Sequence, residues 1–134
     1  MEDNQAQVKL LDIYYESYSF RQNKGRKQGQ IKFKIANKYE FQRQNGTENH
    51  RIVITTSVDD EDGFIHLDLK TIGIFRIHDS EGNKDNKYSK LLTDTVWPFV
   101  RNEVQLLSTQ PGMVSIILPL QAPSGTPDDH TLYA

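Results

Sequence analysis

The chain has 134 residues, with sixteen lysines and arginines against eighteen aspartates and glutamates, a net charge of −2 and a pI near 6.1. That length holds one domain with one core, and the charge balance commits the whole protein neither to nucleic acid nor to an anionic membrane. The absence of cysteine excludes disulfides, thiolate metal sites and thiol nucleophiles; with no signal-peptide pattern and no apolar run of membrane-spanning length, a cytoplasmic protein without membrane insertion is expected.

Val8 to Phe20, VKLLDIYYESYSF, is rich in aromatic and β-forming residues and predicts a first strand. Simple alternation puts Val8, Leu10, Tyr14, Tyr18 and Phe20 on one side and Leu11, Ile13 and Tyr15 on the other. Both faces then need cover, and one source of cover is a second copy of the chain. Arg21 to Gly29 is a polar loop with two glycines, after which Ile31, Phe33 and Ile35 alternate with Lys32 and Lys34 in a second strand that Tyr39 and Phe41 extend. Asn45-Gly46 is a hairpin turn signal, because both residues tolerate positive φ. The returning strand, His50 to Val58, carries Ile52, Ile54 and Val58 on one face, and Asp62-Gly63 supplies a second turn.

The fourth strand starts at Phe64 and alternates Ile65, Leu67 and Leu69 against His66, Asp68 and Lys70. Ile72 and Ile74 on the other parity around Gly73 predict a β-bulge there. A polar connector from His78 to Ser89 leads into a helix predicted over about 94–110, with Asp94 as N-cap and Pro98 in its opening turn. Val96, Phe99, Val100, Val104 and Leu107 make its apolar face. Gln110-Pro111-Gly112 ends it, Met113 to Leu118 is extended, and residues 123–134 are expected to be a loose tail beyond a domain of residues 1–122. The fold class is α+β, a four-stranded antiparallel meander packed with one long amphipathic helix.

Chemistry is sparse in this sequence. It has no phosphate-binding glycine loop, and His50, His66, His78 and His130 lack metal-ligand spacing. The acidic run Asp59 to Gly63 fails the calcium-loop register, since Leu69 falls where the bidentate glutamate belongs. Asn45-Gly46-Thr47 is a formal glycosylation sequon better read as the hairpin turn. No spacing singles out a nucleophile, so no enzyme and no cofactor are expected. Seven basic residues and no acid lie between Arg21 and Tyr39: Arg21, Lys24, Arg26, Lys27, Lys32, Lys34 and Lys38. This patch over residues 21–38 supports an alternative reading as a non-catalytic nucleic-acid or protein-interaction module, although Phe33 sits on the apolar parity and a solvated face accounts for the charges as well.

Four segments in order resemble the SecB protein-export chaperone family: the first strand with its aromatic-Ser-Phe ending, GIFRI at Gly73 to Ile77, WPFVRNEV at Trp97 to Val104, and Gly112 followed by ILPLQAP. The resemblance spans Val8 to Pro123. It implies a homotetramer, a dimer of dimers, that holds non-native polypeptides without nucleotide and passes preproteins to the SecA export motor. It implies client-binding roles for Ile31, Phe33 and Ile35, and an oligomer interface at Leu67 and Leu69; each of these five also reads as core of a single subunit. Ser17 and Arg21 stand where motor-docking relatives carry acids, leaving Asp68 as the retained acidic match for partner docking. The family's second, C-terminal helix has no counterpart here. Relatives serving a dedicated client, such as an antitoxin, fit such a chain equally.

Overall fold

The computed structural model describes residues 7–22, 33–44, 46–60, 63–79, 88–109, 116–123 and 130–133. Strands β1 (Gln7–Gln22), β2 (Phe33–Gln44), β3 (Asn49–Asp60) and β4 (Ile65–His78) are followed by helix α1 (Ser89–Ser108) and a short strand β5 (His130–Tyr133). The sheet order is β1-β4-β3-β2-β5, antiparallel except that β5 runs parallel to β2. The four-stranded antiparallel sheet with one helix is therefore present. β2, β3 and β4 form the expected meander, but β1 pairs with β4 rather than β2. Within the expected loose tail, His130–Tyr133 pairs with the sheet as β5, beside Phe41 to Gln44. Main-chain pairing on an open edge requires no side-chain periodicity, so the sequence carries little trace of it.

Six of the eight apolar residues read into the two sides of β1 share one face, whereas Tyr14, opposite Ile72, lies on the other. The register of β1 against β4 slips between Leu10 and Asp12 and between Tyr15 and Ser17, so Leu11 and Glu16 are extra residues of two β-bulges. Residues opposite one another in a ladder share a face. Val8, Leu10, Ile13, Tyr15, Tyr18 and Phe20 therefore all lie on the helix side, opposite Ile77, Phe75, Gly73, Thr71, Leu69 and Leu67. No bulge interrupts β4 against β3, where pairing is continuous from Asp59↔His66 to Asn49↔Arg76. Gly73 serves close approach instead: a Cβ there would sit 2.7 Å from Val96 Cγ2 of α1. Ile72 and Ile74 simply point to the other side of the sheet, away from α1.

The helix begins five residues earlier than expected. Tyr88 precedes it without a side-chain cap, and Asp94 receives a hydrogen bond from Lys90 Nζ at 2.6 Å within the helix rather than capping it. Pro98 thus lies in the helix interior, where it cannot bond the Asp94 carbonyl. Both residues are exposed, which leaves that carbonyl to water. Leu92, Val96, Trp97, Val100 and Val104 face the sheet, while Phe99, assigned to the apolar face from spacing, stays 39% exposed.

After α1 the chain returns as an extended arm, residues 116–123, with Ile116 and Leu118 buried. Ile116 N donates to Ser108 Oγ (2.8 Å), whose hydroxyl in turn donates to Val104 O (2.8 Å). Arg101 Nε reaches Leu118 O (3.2 Å) and Trp97 Nε1 reaches Pro119 O (2.9 Å). Two tyrosines complete the clamp from the ends of one transverse row, Tyr15–Thr71–Ile54–Tyr39. Tyr15 Oη donates to Phe99 O and Tyr39 Oη to Pro123 O, both at 3.0 Å. Burial first, and then the Glu103 carboxylate, raise the Tyr15 phenol above its usual pKa. Burial outweighs the Asn37 hydrogen bond to raise Tyr39 as well, so both remain proton donors. Tyr15→Phe and Tyr39→Phe are each expected to cost about 1 kcal/mol in urea unfolding. The costs should add in the double variant, because the hydroxyls share no partner; a single loss carried by one of them would break this picture.

Candidate functional site

Beyond the tyrosine row the helix side of the sheet is covered over its inner strands, β3 and β4, but only partly at its edges. The rows there are Tyr18–Leu69–Thr56–Asn37 and Phe20–Leu67–Val58–Ile35, and Phe33 stands opposite Asp60 at the end. Leu67 and Leu69, expected between subunits, are 0% and 1% exposed inside the single-chain core with α1, Ile116 and Leu118, and offer no side-chain surface to a second copy. Flanked by strands on both sides and topped by the helix layer, these positions are filled by one subunit. Phe33 and Ile35 are half-buried, packed on the core cluster with Phe20 and Phe64 while keeping part of their apolar surface accessible. Ile31 lies outside the described residues.

On the same side, Tyr18 is 61% exposed and Leu106 of α1 64%, and the arm turns Ile117 (69%) and Leu120 (79%) outward. Sequence reasoning singled out none of these four as surface. Strict alternation along the arm, Ile116 and Leu118 inward, was the available signal for Ile117. Tyr18 lies on the side that alternation gave it, and it is exposed because β1 is an edge strand.

Asp68 belongs to the opposite, open face. Ser57 Oγ donates to Asp68 Oδ1 (2.7 Å), His66 Nε2 lies 2.5 Å from Asp68 Oδ2, and His66 Nδ1 contacts Asp59. Hydrogen bonds to Asp59 and then Asp68 hold the His66 imidazolium above its usual pKa. For Asp68, burial pushes the carboxyl up, but Ser57 and His66 together outweigh it and leave it below the ordinary range. The two carboxylates occupy opposite ring nitrogens, so they cannot converge on one ion, and no metal-competent cluster of His, Asp or Glu occurs among the described residues. Asp60, in the acidic run before Gly63, accepts a hydrogen bond from Ile65 N at 3.0 Å and closes the β3–β4 turn.

The charge network makes a pH prediction. His66 stabilises the fold fully below the ordinary histidine pKa of about 6.5, and that contribution disappears as pH rises through its raised folded value. Asp68 acts in the other direction, losing its contribution as pH falls through its depressed value. His66→Gln should therefore flatten the decline of Tm as pH rises from about 6.5 through the raised histidine value; an unchanged profile would show that the pairs are spent in solvent.

Of the basic patch, Arg21, Lys34 and Lys38 are exposed on the open face, in line with His66, Asp59 and Thr55. Phe33 and Tyr39 point to the other side. The aromatic and cationic groups that base stacking would combine are thus separated by the thickness of the sheet. Lys24, Arg26, Lys27 and Lys32 lie outside the described residues. No described helix is long and apolar enough to cross a membrane.

No protein-family model matches the chain, and no curated protein matches its sequence. Among solved structures, the fold is similar to a SecB-like chaperone of Mycobacterium tuberculosis in complex with a ChAD peptide from the HigA1 antitoxin. The TM-score is 0.68 at 13% identity, over 86% of this chain and 88% of that one. At that identity the likeness is one of fold: the sheet and helix described above have the SecB-like arrangement.

Proposed function

We propose that this chain is an ATP-independent holdase that captures non-native polypeptide on the helix-side surface. The observation that carries the reading is the partly covered apolar surface at Phe33 and Ile35, together with the exposed apolar groups Tyr18, Leu106, Ile117 and Leu120 elsewhere on the same side. A shallow, extended apolar surface gathers many weak contacts and discriminates little between sequences, as binding of unfolded segments requires. The SecB-like fold supports the same conclusion. The neighbour's complex with an antitoxin peptide favours a dedicated client over general export. Asp68, already engaged by Ser57 and His66, is a poor anchor for the SecA motor.

The chain acts in the cytoplasm as a homo-oligomer, a tetramer rather than a dimer. Its self-contacts use exposed apolar residues of β1 and α1, Leu10, Leu11, Leu91 and Phe99, in place of Leu67 and Leu69. Dilution of a chemically unfolded, aggregation-prone client into buffer with stoichiometric chaperone and no nucleotide should give suppressed light scattering that survives high salt. Phe33→Asp should weaken suppression several-fold with the circular dichroism spectrum unchanged. Scattering equal to that with an inert protein would overturn the holdase reading, and steep salt dependence would return attention to the cations of the open face.

A further inference from the structure

The two edges of this sheet are unlike. β1, one edge, is broken by two bulges, a device that blunts an edge against further pairing. β2, at the other side, pairs with β3 through eleven consecutive residues, Phe33 to Arg43, with no register shift, so its outward main chain is a straight, regular template. An extended segment is already seated on it: β5 runs parallel to β2 beside Phe41 to Gln44. Among the described residues, β5 faces only those four, and no described strand lies outside the rest of β2.

From these observations we infer that the β2 edge is a strand-addition site for an extended polypeptide segment, part of which the chain's own C-terminal strand occupies until a client displaces it. The inference rests on the holdase reading and gives its capture surface a main-chain component. Main-chain hydrogen bonds would supply affinity without regard to sequence, and alternate side chains of the added segment would fall beside Phe33 and Ile35 on the helix side. A four-residue parallel pairing is short, and parallel ladders are the weaker kind, which suits an occupant that must leave. Lys34 and Lys38 on the open side of this strand discourage edge-to-edge association of folded copies while leaving the main chain accessible.

The test uses the full chain and two variants, Thr131→Pro and Leu132→Pro. Successive amides in a strand point to opposite sides, so one of the two removes a donor to β2 and the other does not. The effective variant should lose amide-exchange protection within Phe41 to Gln44 and bind a labelled, unfolded apolar peptide several-fold more tightly by fluorescence anisotropy. In the natural chain, saturating peptide should extend protection along Phe33 to Gln44. Peptide that saturates without altering exchange anywhere on β2, or that binds more weakly once β5 is released, overturns the inference. If neither protein binds the peptide, the holdase reading fails separately, and a synthetic peptide of residues 127–134 decides the edge. Restored protection in the released variant supports strand addition; none refutes it.

Discussion

Trp97→Ala should remove about 3–5 kcal/mol of stability, the range for deleting a large buried aromatic. Against a total of about 5–15 kcal/mol, that is a drop in Tm on the order of 10–20 °C. Trp97 is 1% exposed in the centre of the core, and its indole N–H holds the arm through Pro119 O at 2.9 Å. One side chain thus fills the space under α1 and fastens the cover. Trp97→Phe separates the two roles: it keeps most of the ring volume and loses the hydrogen bond, and should restore most of the stability while leaving the arm more open to proteolysis after Leu118. Because Trp97 is the sole tryptophan, unfolding of both variants is followed by circular dichroism. A Trp97→Ala loss below about 1 kcal/mol would mean that the core relaxes to fill the space, contrary to a tightly packed helix–arm layer.

Gly73→Ala is the second large effect. The added Cβ would meet Val96 Cγ2 at 2.7 Å, Phe75 Cε1 at 3.1 Å and Ile52 Cγ2 at 3.2 Å. Val96 is fully buried and packed from α1, so the helix must lift from β4; the expected cost is about 1–3 kcal/mol, as for other overpacked cores. Adding Val96→Ala removes the nearest obstruction, and the double variant should be more stable than the sum of the single losses predicts. Strict additivity would place the strain elsewhere.

Gly73 also shows how far the sequence could be read. The odd positions Ile65 to Ile77 all face inward, with Thr71 and Gly73 as the small members of the series. An interruption of the apolar pattern there looks like a bulge, whereas its cause is a helix that only the tertiary structure brings near. The converse holds for β1. With Leu11 and Glu16 set aside, the strand reads Val-Lys-Leu-Asp-Ile-Tyr-Tyr-Ser-Tyr-Ser-Phe, an almost perfect alternation that the two extra residues conceal. The hairpins were legible because turn chemistry is local: Gly46 and Gly63 have φ of +73° and +70°. Strand order was not, since pairing of β1 with β4 joins residues far apart in the chain. Within the candidate site, Phe33 and Ile35 were legible by alternation, but not that α1 and the arm leave them half-covered while enclosing Leu67 and Leu69. Which partner covers an apolar face is decided by topology.

The arm's anchors end on main-chain atoms: Arg101, Trp97 and Tyr39 bond the carbonyls of Leu118, Pro119 and Pro123, and Ser108 takes the amide of Ile116. Every residue has such a carbonyl, so the outward side chains at Ile117 and Leu120 contribute nothing to the hold. On the holdase reading, selection could exchange them freely as clients change, which would make the arm the part of the molecule where new binding preferences evolve at least risk to folding.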